Sequence, residues 1–356
     1  MEIKIIDNKE SFLSLKPEWE ALQNKAKDIT YYSTFHFLFQ WFEKIASKDN
    51  VKLCVVCIYE KNEVIAIAPL MLEKRKFLLF RATVLRFIGR ADFSNILIDK
   101  NVKRQAVLKK VFEVIDKQLK WDKLELTHVG AHTDLAHFCF KSELYNDSFE
   151  NLGENPVLSI YESTDFPAYK KQFFKKNINY YRNKLKKDLN ANLEVVLGDK
   201  ELENISKIHI ERNSDSKTRK SLFEDNKTFD FIKELYKKEE TTITFLLKTE
   251  TGKLISYATC YLFNGILHNW NTSFNLKFRG YSAGDLIYFE MINYAFENKN
   301  KVKIVDFGAG RYAWKFRMTD TFIPTYKLNL NNKKSKKHRL LSIYDKLFKI
   351  GKIVLR

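Results

Sequence analysis

The chain has 356 residues, 45% of them hydrophobic and 14% aromatic, and a formal net charge of +18. It is long for one compact core and too apolar for global disorder, and 5 prolines with 11 glycines argue against a loop-rich or low-complexity protein. The charge permits nucleic acid, anionic membrane or anionic small-molecule partners, while no apolar run reaches the length that spans a bilayer. The opening MEIKIIDNKE lacks the apolar core of a secretion leader, so a cytoplasmic location is expected.

In chain order, hydrophobic periodicity predicts a strand at 2–6, helices near 10–26 and 34–47, and strands at 51–60 and 63–72. Strands near 84–88 and 95–99 follow, then a helix at 103–120, a strand at 122–127 and a helix at 133–143. Cys54 and Cys57 form a C-x-x-C inside LCVVCIY, an apolar run that reads as a central strand. Packing is the expected role for both, since free cysteine behaves as a small hydrophobe and no second Cys or His pair stands nearby. The second half opens with a strand at 156–161 and helices at 167–190, 201–213 and 227–238. Strands at 241–249, 253–263 and 266–273 come next, then a helix at 284–298 and strands at 302–307 and 323–330. Short polar turns, Asn264-Gly265 among them, mark the three successive strands as an antiparallel meander. Both halves therefore read as α/β (α+β), each a mixed, largely antiparallel sheet flanked by helices. The expected domains are 1–150 and 151–330, with a basic amphipathic tail at 331–356.

Basic residues concentrate in two places. From Lys170 to Lys187, Phe173, Phe174, Ile178, Tyr181 and Leu185 form an apolar stripe, with Lys175, Lys176, Arg182, Lys186 and Lys187 on the other faces. These cations are either a solvated helix face or contacts for an anionic ligand, Arg182 being the best placed by motif. In the tail, the polybasic KKSKKHR (333–339) precedes LLSIYDKLFKI (340–350), which puts Leu340, Leu341, Tyr344, Leu347 and Phe348 on one helical face. That pattern fits shallow adsorption to an anionic membrane surface, or docking on the protein's own body.

The most informative stretch is FRGYSAGDLIYFEMI (278–292), followed by DFGAGRYAWKFRMTD (306–320). The first passes through a small-residue turn at Ser282, Ala283 and Gly284 into an apolar helix. Small side chains there let main-chain N–H groups approach an anion, which the helix dipole favours, and a turn of this kind suits a pyrophosphate. The second is a buried strand emptying into Gly308, Ala309 and Gly310, then a cluster of Tyr312, Trp314 and Lys315.

These residues resemble the C-terminal half of the CelD/FemAB-like branch of the GNAT acyltransferase superfamily. In that branch a Tyr-Ser-Pro-Gly turn precedes a helix, and a later strand ends Asp-Phe-Gly before an aromatic-Lys pair. This chain has Tyr281-Ser282-Ala283-Gly284, Asp306-Phe307-Gly308 and Trp314-Lys315. The resemblance extends through EWEALQ (18–23), TFHFLFQWFEKI (34–45), AIAPLML (66–72), RFIGRADFSNILID (86–99) and KKNINYYRNKLKKDL (175–189), covering about residues 15–330. It implies two tandem GNAT-like domains and acyl transfer from acetyl-CoA or another acyl-CoA, without a metal. The donor would lie against Arg279, Tyr281, Ser282, Ala283 and Gly284. After Ile98 the first half reads DKNVKRQAVLKK, too bulky to wrap a pyrophosphate, so that domain is expected to be degenerate as a donor site and to help form the acceptor cleft.

Acyl transfer needs a polarised donor carbonyl, a deprotonated acceptor and a stabilised leaving thiolate. GNAT-type sites commonly polarise the carbonyl with a main-chain N–H exposed by a bulge or splay in the strand before the pyrophosphate turn, here about 268–274. Lys315 is the leading candidate, as a cation for a phosphate or developing oxyanion; Asp306 and His268 are candidate bases, and Tyr312 a candidate acid. For each the alternative is structural: a surface lysine, a turn-holding carboxylate, a satisfied strand histidine. Arg182, His209, Arg212, Trp270 and Trp314 are the candidate acceptor contacts, with His209 and Arg212 close enough on a helix to face the cleft together. The Asp-Phe-Gly triplet lacks any accompanying kinase loop, and His128, His132 and His137 lack a further metal ligand at useful spacing. The resemblance implies an acceptor among amino-sugar or other cell-envelope polysaccharide precursors, free or lipid-linked; peripheral membrane contact through 333–356 is expected from the tail's own pattern, beside docking on the protein's body. Two alternatives stand beside it: an aminoacyl-tRNA donor, as in FemAB relatives, and a non-enzymatic envelope-assembly protein.

Overall fold

The computed structural model describes all residues except 47–49, 163–164, 175–176, 215–219 and 355–356, with side chains described as far as 347. The chain divides into two units, Met1–Gly153 with Pro324–Arg356, and Glu154–Ile323.

The first unit opens with β1 (Glu2–Ile6), α1 (Lys9–Ser14), α2 (Lys16–Lys25) and α3 (Phe35–Lys44). Next come β2 (Val51–Leu53), β3 (Val55–Glu60), β4 (Glu63–Ala68), β5 (Leu70–Phe77) and β6 (Phe80–Phe87). They are followed by β7 (Leu97–Ile98), α4 (Arg104–Gln118), β8 (Lys123–Gly130) and α5 (Asp134–Lys141). The strands expected at 51–60 and 63–72 each divide, at Cys54 and Pro69, because the chain changes sheets there. β3 and β4 lie in a sheet ordered β1-β3-β4-β7, whereas β2 and β5 continue into β6 and β8. Pro69 has no N–H for a ladder, so it suits the crossing point. The 10–26 helix is likewise two helices, with Pro17 in the first turn of the second. Helix α4 sends Val107, Leu108, Val111 and Ile115 into a core with Leu85, Leu124 and Leu126, beneath the parallel pair β6–β8.

Strand β9 (Phe149–Ser159) crosses the unit boundary in sequence. The second unit then contains α6 (Phe166–Phe173), α7 (Ile178–Leu189), β10 (Asn192–Leu197), α8 (Leu202–Asn213) and α9 (Asn226–Tyr236). It continues with β11 (Thr242–Lys248), β12 (Leu254–Phe263), β13 (Ile266–Phe274), α10 (Ala283–Glu297) and β14 (Ile304–Asp306). Its sheet is ordered β10-β11-β12-β13-β14-β9, antiparallel throughout except for the parallel join β13–β14. Helix α10 is apolar nearly all round and is buried accordingly, packing Leu286, Ile287, Met291 and Ile292 with Phe245, Ala258 and Leu267. The helix expected at 167–190 is interrupted: α6 stops at an extended Phe174 and α7 starts at Ile178. Lys175 and Lys176 lie outside the described residues.

The C-terminal segment corrects the expected boundaries. Strand β15 (Phe322–Asn331) pairs antiparallel with β8, Leu330 opposite Leu124, so 324–330 joins the first unit rather than the second. Helix α11 (His338–Val354) follows, and 331–356 is no detached tail. Leu341 is fully buried against Phe77, Ala82 and Val84, and Lys334 and Lys337 pair with Asp116 and Asp122 at 2.8 and 3.0 Å.

Candidate active site

Strands β13 and β14 run together only as far as His268 opposite Asp306. There β14 ends and the chain turns away through Gly308 and Gly310, whose φ values of 77° and 107° favour glycine. Strand β13 runs on to Phe274, so among the described residues its β14-side edge beyond His268 has no strand partner. On its other edge the register slips: Thr259 opposes Asn271 and Cys260 opposes Asn269, leaving Trp270 as an extra residue. This is a β-bulge, which disrupts the ladder and re-aims side chains. The splay and the bulge fall within the 268–274 segment where the chemistry needs an unpaired main-chain N–H.

At the far end of the same strand, a 3-10 turn (Leu276–Tyr281) leads to Ser282 and then α10. Ser282 is left-handed (φ 51°, ψ 37°), a conformation that glycine adopts more cheaply. The first helical bond from this turn runs from the Leu286 N–H to the Ser282 carbonyl, 3.0 Å. The N–H groups of Ala283, Gly284 and Asp285 precede it and are those a helix start leaves without an intrahelical acceptor. Ser282 and Gly284 remain partly accessible, and Arg279 and Gly280 are exposed. A β-carbon at Gly284 would meet only Phe274, at an ordinary 3.5 Å, so packing does not demand glycine there. A small cleft of about 40 Å³ beside the turn is lined by Phe174, Ile178, Tyr181, Ser282, Asp285 and Arg317. The Arg317 guanidinium lies 3.6 Å from the Asp285 carboxylate, a cation at the helix start that the sequence reading did not single out. Tyr281 donates its hydroxyl proton to Asp188 at 3.3 Å.

The acid–base candidates separate. His268 Nδ1 lies 2.8 Å from Asp306 Oδ2, with both side chains essentially inaccessible, and the other Asp306 oxygen accepts the Gly308 N–H at 2.9 Å. The two form a sealed pair that fixes where the strands part, and the turn-holding alternative fits Asp306. Lys315 is neither a surface lysine nor an open cation. It is 5% exposed and donates to the Gly308 and Ala309 carbonyls at 2.8 and 2.7 Å. Its ammonium lies 5.3 and 5.6 Å from the Tyr312 and Trp314 ring centres. Tyr312 is half exposed, and Trp314 packs on Tyr288 with ring centres 4.8 Å apart.

The acceptor candidates also divide. Arg182 pairs with the buried Glu290 of α10 at 2.7 Å; burial raises the Glu290 pKa and Arg182 counters it. His209 turns to Ser221, 2.7 Å away, and burial lowers its pKa to about 4, which keeps the ring neutral. Arg212 instead covers the Phe274 ring at 4.9 Å, so the pair does not converge on one ligand as expected. Trp270 rests against Tyr261, ring centres 5.7 Å apart. Sequence reading missed a polar network at the splay: the Tyr288 hydroxyl donates to Asn269 Oδ1 at 3.0 Å, and Asn269 Nδ2 donates to Thr272 at 2.9 Å. The surplus of polar residues in 268–274 signalled it, but nothing in the sequence links Tyr288 to that strand. Among the described residues no group of three or more His, Cys, Asp or Glu side chains is placed to hold a metal.

Residues 172–316 match the model of the acetyltransferase (GNAT) domain family. The whole chain is similar in structure to a protein titled FemX, with TM-score 0.59 and 13% identity, covering 93% of this chain and 98% of that one. It is similar to a conserved protein of unknown function from Bacteroides thetaiotaomicron, with TM-score 0.57, 12% identity and coverage of 92% and 100%. It also resembles L-PGS from Bacillus licheniformis, with TM-score 0.52, 12% identity and coverage of 92% and 96%. Among curated proteins none matches the chain. The match places a GNAT acetyltransferase domain within the second unit, and the chain as a whole shares the α/β fold of FemX and L-PGS.

Proposed function

We propose that the protein transfers an acyl group from an acyl-CoA, acetyl-CoA in the simplest case, to an amine or hydroxyl of an amino-sugar or another cell-envelope polysaccharide precursor. One observation carries this reading: a bulged, half-unpaired strand runs directly into a helix start held open by small residues. The edge of β13 that β14 leaves beyond His268 suits a thioester carbonyl, and the amides of Ala283 to Asp285 suit a diphosphate, with Arg317 adding charge. The acceptor nitrogen or oxygen attacks the carbonyl carbon and loses its proton, the C–S bond breaks, and the thiolate takes up a proton. Of the four acid–base candidates, Tyr312 alone presents a largely accessible side chain, and we assign it that last transfer. Envelope precursors as acceptors rest on the family resemblance.

The test is thermal unfolding of the full chain with and without CoA or acetyl-CoA, beside a bandshift with tRNA. A ligand that binds only the folded form raises the melting temperature, by an amount set by its concentration relative to Kd. A rise with CoA compounds and none with tRNA is expected. No rise with acetyl-CoA or longer acyl-CoA, together with a tRNA shift that weakens with salt, would transfer the assignment to an aminoacyl-tRNA donor.

A further inference from the structure

The first unit carries an apolar surface that its fold does not use. The β5–β6 hairpin pairs Phe77 with Phe80, leaving Leu78 and Leu79 as its two turn residues. Leu79 is 100% exposed and Leu78 65%. Leu78 also adopts φ 47° at the first turn position, where glycine is the favoured residue. A branched, water-exposed side chain in left-handed backbone is unfavourable twice over, for folding and for solubility. Gly-Asn would close this turn better, so the hairpin's own stability does not explain the leucines.

Helix α11 packs beside this tip. Tyr344 sets its ring edge-on to Phe77, centres 5.0 Å apart, and Leu341 is buried in the same small core. With one face thus docked, a second face stays open: Leu340, Ile343 and Leu347, at 49%, 55% and 55% exposure, recur at helical spacing. The sequence reading offered self-docking and membrane adsorption as alternatives for this helix; its two faces accommodate both. The surroundings are cationic. Lys74, Lys76 and Arg81 stand exposed on the hairpin, and Lys333, Lys336, Arg339 and Lys346 are exposed on and before α11.

We propose that the hairpin tip and the open face of α11 together form a docking surface for a bilayer containing anionic phospholipid. Leu78 and Leu79 enter the interface as a wedge, α11 lies along it, and the lysines and arginines meet the headgroups. Charge selects the occupant: exposed apolar side chains within a collar of unpaired cations suit an anionic surface better than a neutral one. Among the described residues no helix is long and apolar enough to cross a membrane, so the contact would be peripheral. This inference does not depend on the acyl donor, because its readout is binding.

The test is co-sedimentation of the full chain with vesicles of phosphatidylcholine alone and with about one third phosphatidylglycerol. Binding only to the anionic vesicles, weakening several-fold from low to physiological salt, is expected. The variant Leu78→Gly/Leu79→Asn installs a better turn and should melt no lower than the parent, yet lose about tenfold or more in vesicle affinity. Leu340→Ser/Ile343→Ser alters only exposed positions and should lose a similar factor. Vesicle binding unchanged in both variants overturns the proposal, as does absence of binding by the parent. A parent that self-associates in solution and is made monomeric by these substitutions, without binding vesicles, would show the face to be a protein interface instead.

Discussion

Lys315 shows how burial changes the meaning of a residue. As a sequence feature beside glycines and aromatics, it reads as a free cation for a phosphate or oxyanion. In the structure its ammonium is spent on the carbonyls of Gly308 and Ala309, at the point where the chain leaves β14. Two hydrogen bonds to a charged donor, with two rings alongside, hold open the loop that lets β13 run on without β14. Replacing Lys315 with Met keeps most of the volume but leaves both carbonyls without that donor. We expect a loss of about 3 kcal/mol in folding free energy, measured by urea denaturation, with acyl transfer falling in parallel as the loop closes over the strand edge. A variant that folds as stably as the parent but loses two or more orders of magnitude in turnover would make Lys315 a direct participant. His268 and Asp306 fit the same reading, since their 2.8 Å contact lies in the core at the last paired position of the two strands.

At the scale of elements, the site is the junction of β13 and α10, and the glycine at that junction separates fold from function. Because a β-carbon at Gly284 meets Phe274 at only 3.5 Å, Gly284→Ala should fold normally and gain up to about 1 kcal/mol from helix propensity. If main-chain approach to a diphosphate is what the turn provides, the same change should weaken CoA protection in thermal unfolding about tenfold in apparent Kd. Unchanged protection would place the phosphates elsewhere. The turn and the meander were legible because Ser-Ala-Gly and Asn-Gly are local signals that need no partner strand. The Trp270 bulge was anticipated as a type of feature but not as a residue, since register depends on β12 as well as β13. Strand β10 was missed because it is half exposed along its length, so NLEVVL lacks a clean apolar face. Arg317 and Tyr288 were not legible at all. Each reaches the site across a fold contact, Arg317 to Asp285 and Tyr288 to Asn269.

At the scale of the whole molecule, the division of the chain is what sequence reading missed most clearly. Polar, turn-rich composition near 145–160 located the first boundary within a few residues, but no local signal says that 324–356 returns to the first unit. That return is fixed by contacts more than two hundred residues apart in sequence, the clearest being Lys123 with Asp345. Lys123 is 3% exposed on β8, and its ammonium holds both Asp345 oxygens at 2.9 and 2.8 Å. Asn331 of β15 adds an oxygen to Lys123 at 3.3 Å and donates to Asp345 at 2.8 Å. Removing one member of such a pair leaves a buried charge without its counterion, which is more damaging than losing the pair outright. Asp345→Ala should therefore destabilise the first unit by about 2–4 kcal/mol, the lower end reflecting the partial exposure of Asp345. In a Lys123→Met background no charge remains to be stranded, and the same Asp345→Ala change should cost less than about 1 kcal/mol. Chemical denaturation of the four proteins measures the coupling. Near-additive losses would mean that α11 is held by Leu341 and Tyr344 alone, with the ion pair incidental to the return of the C-terminus.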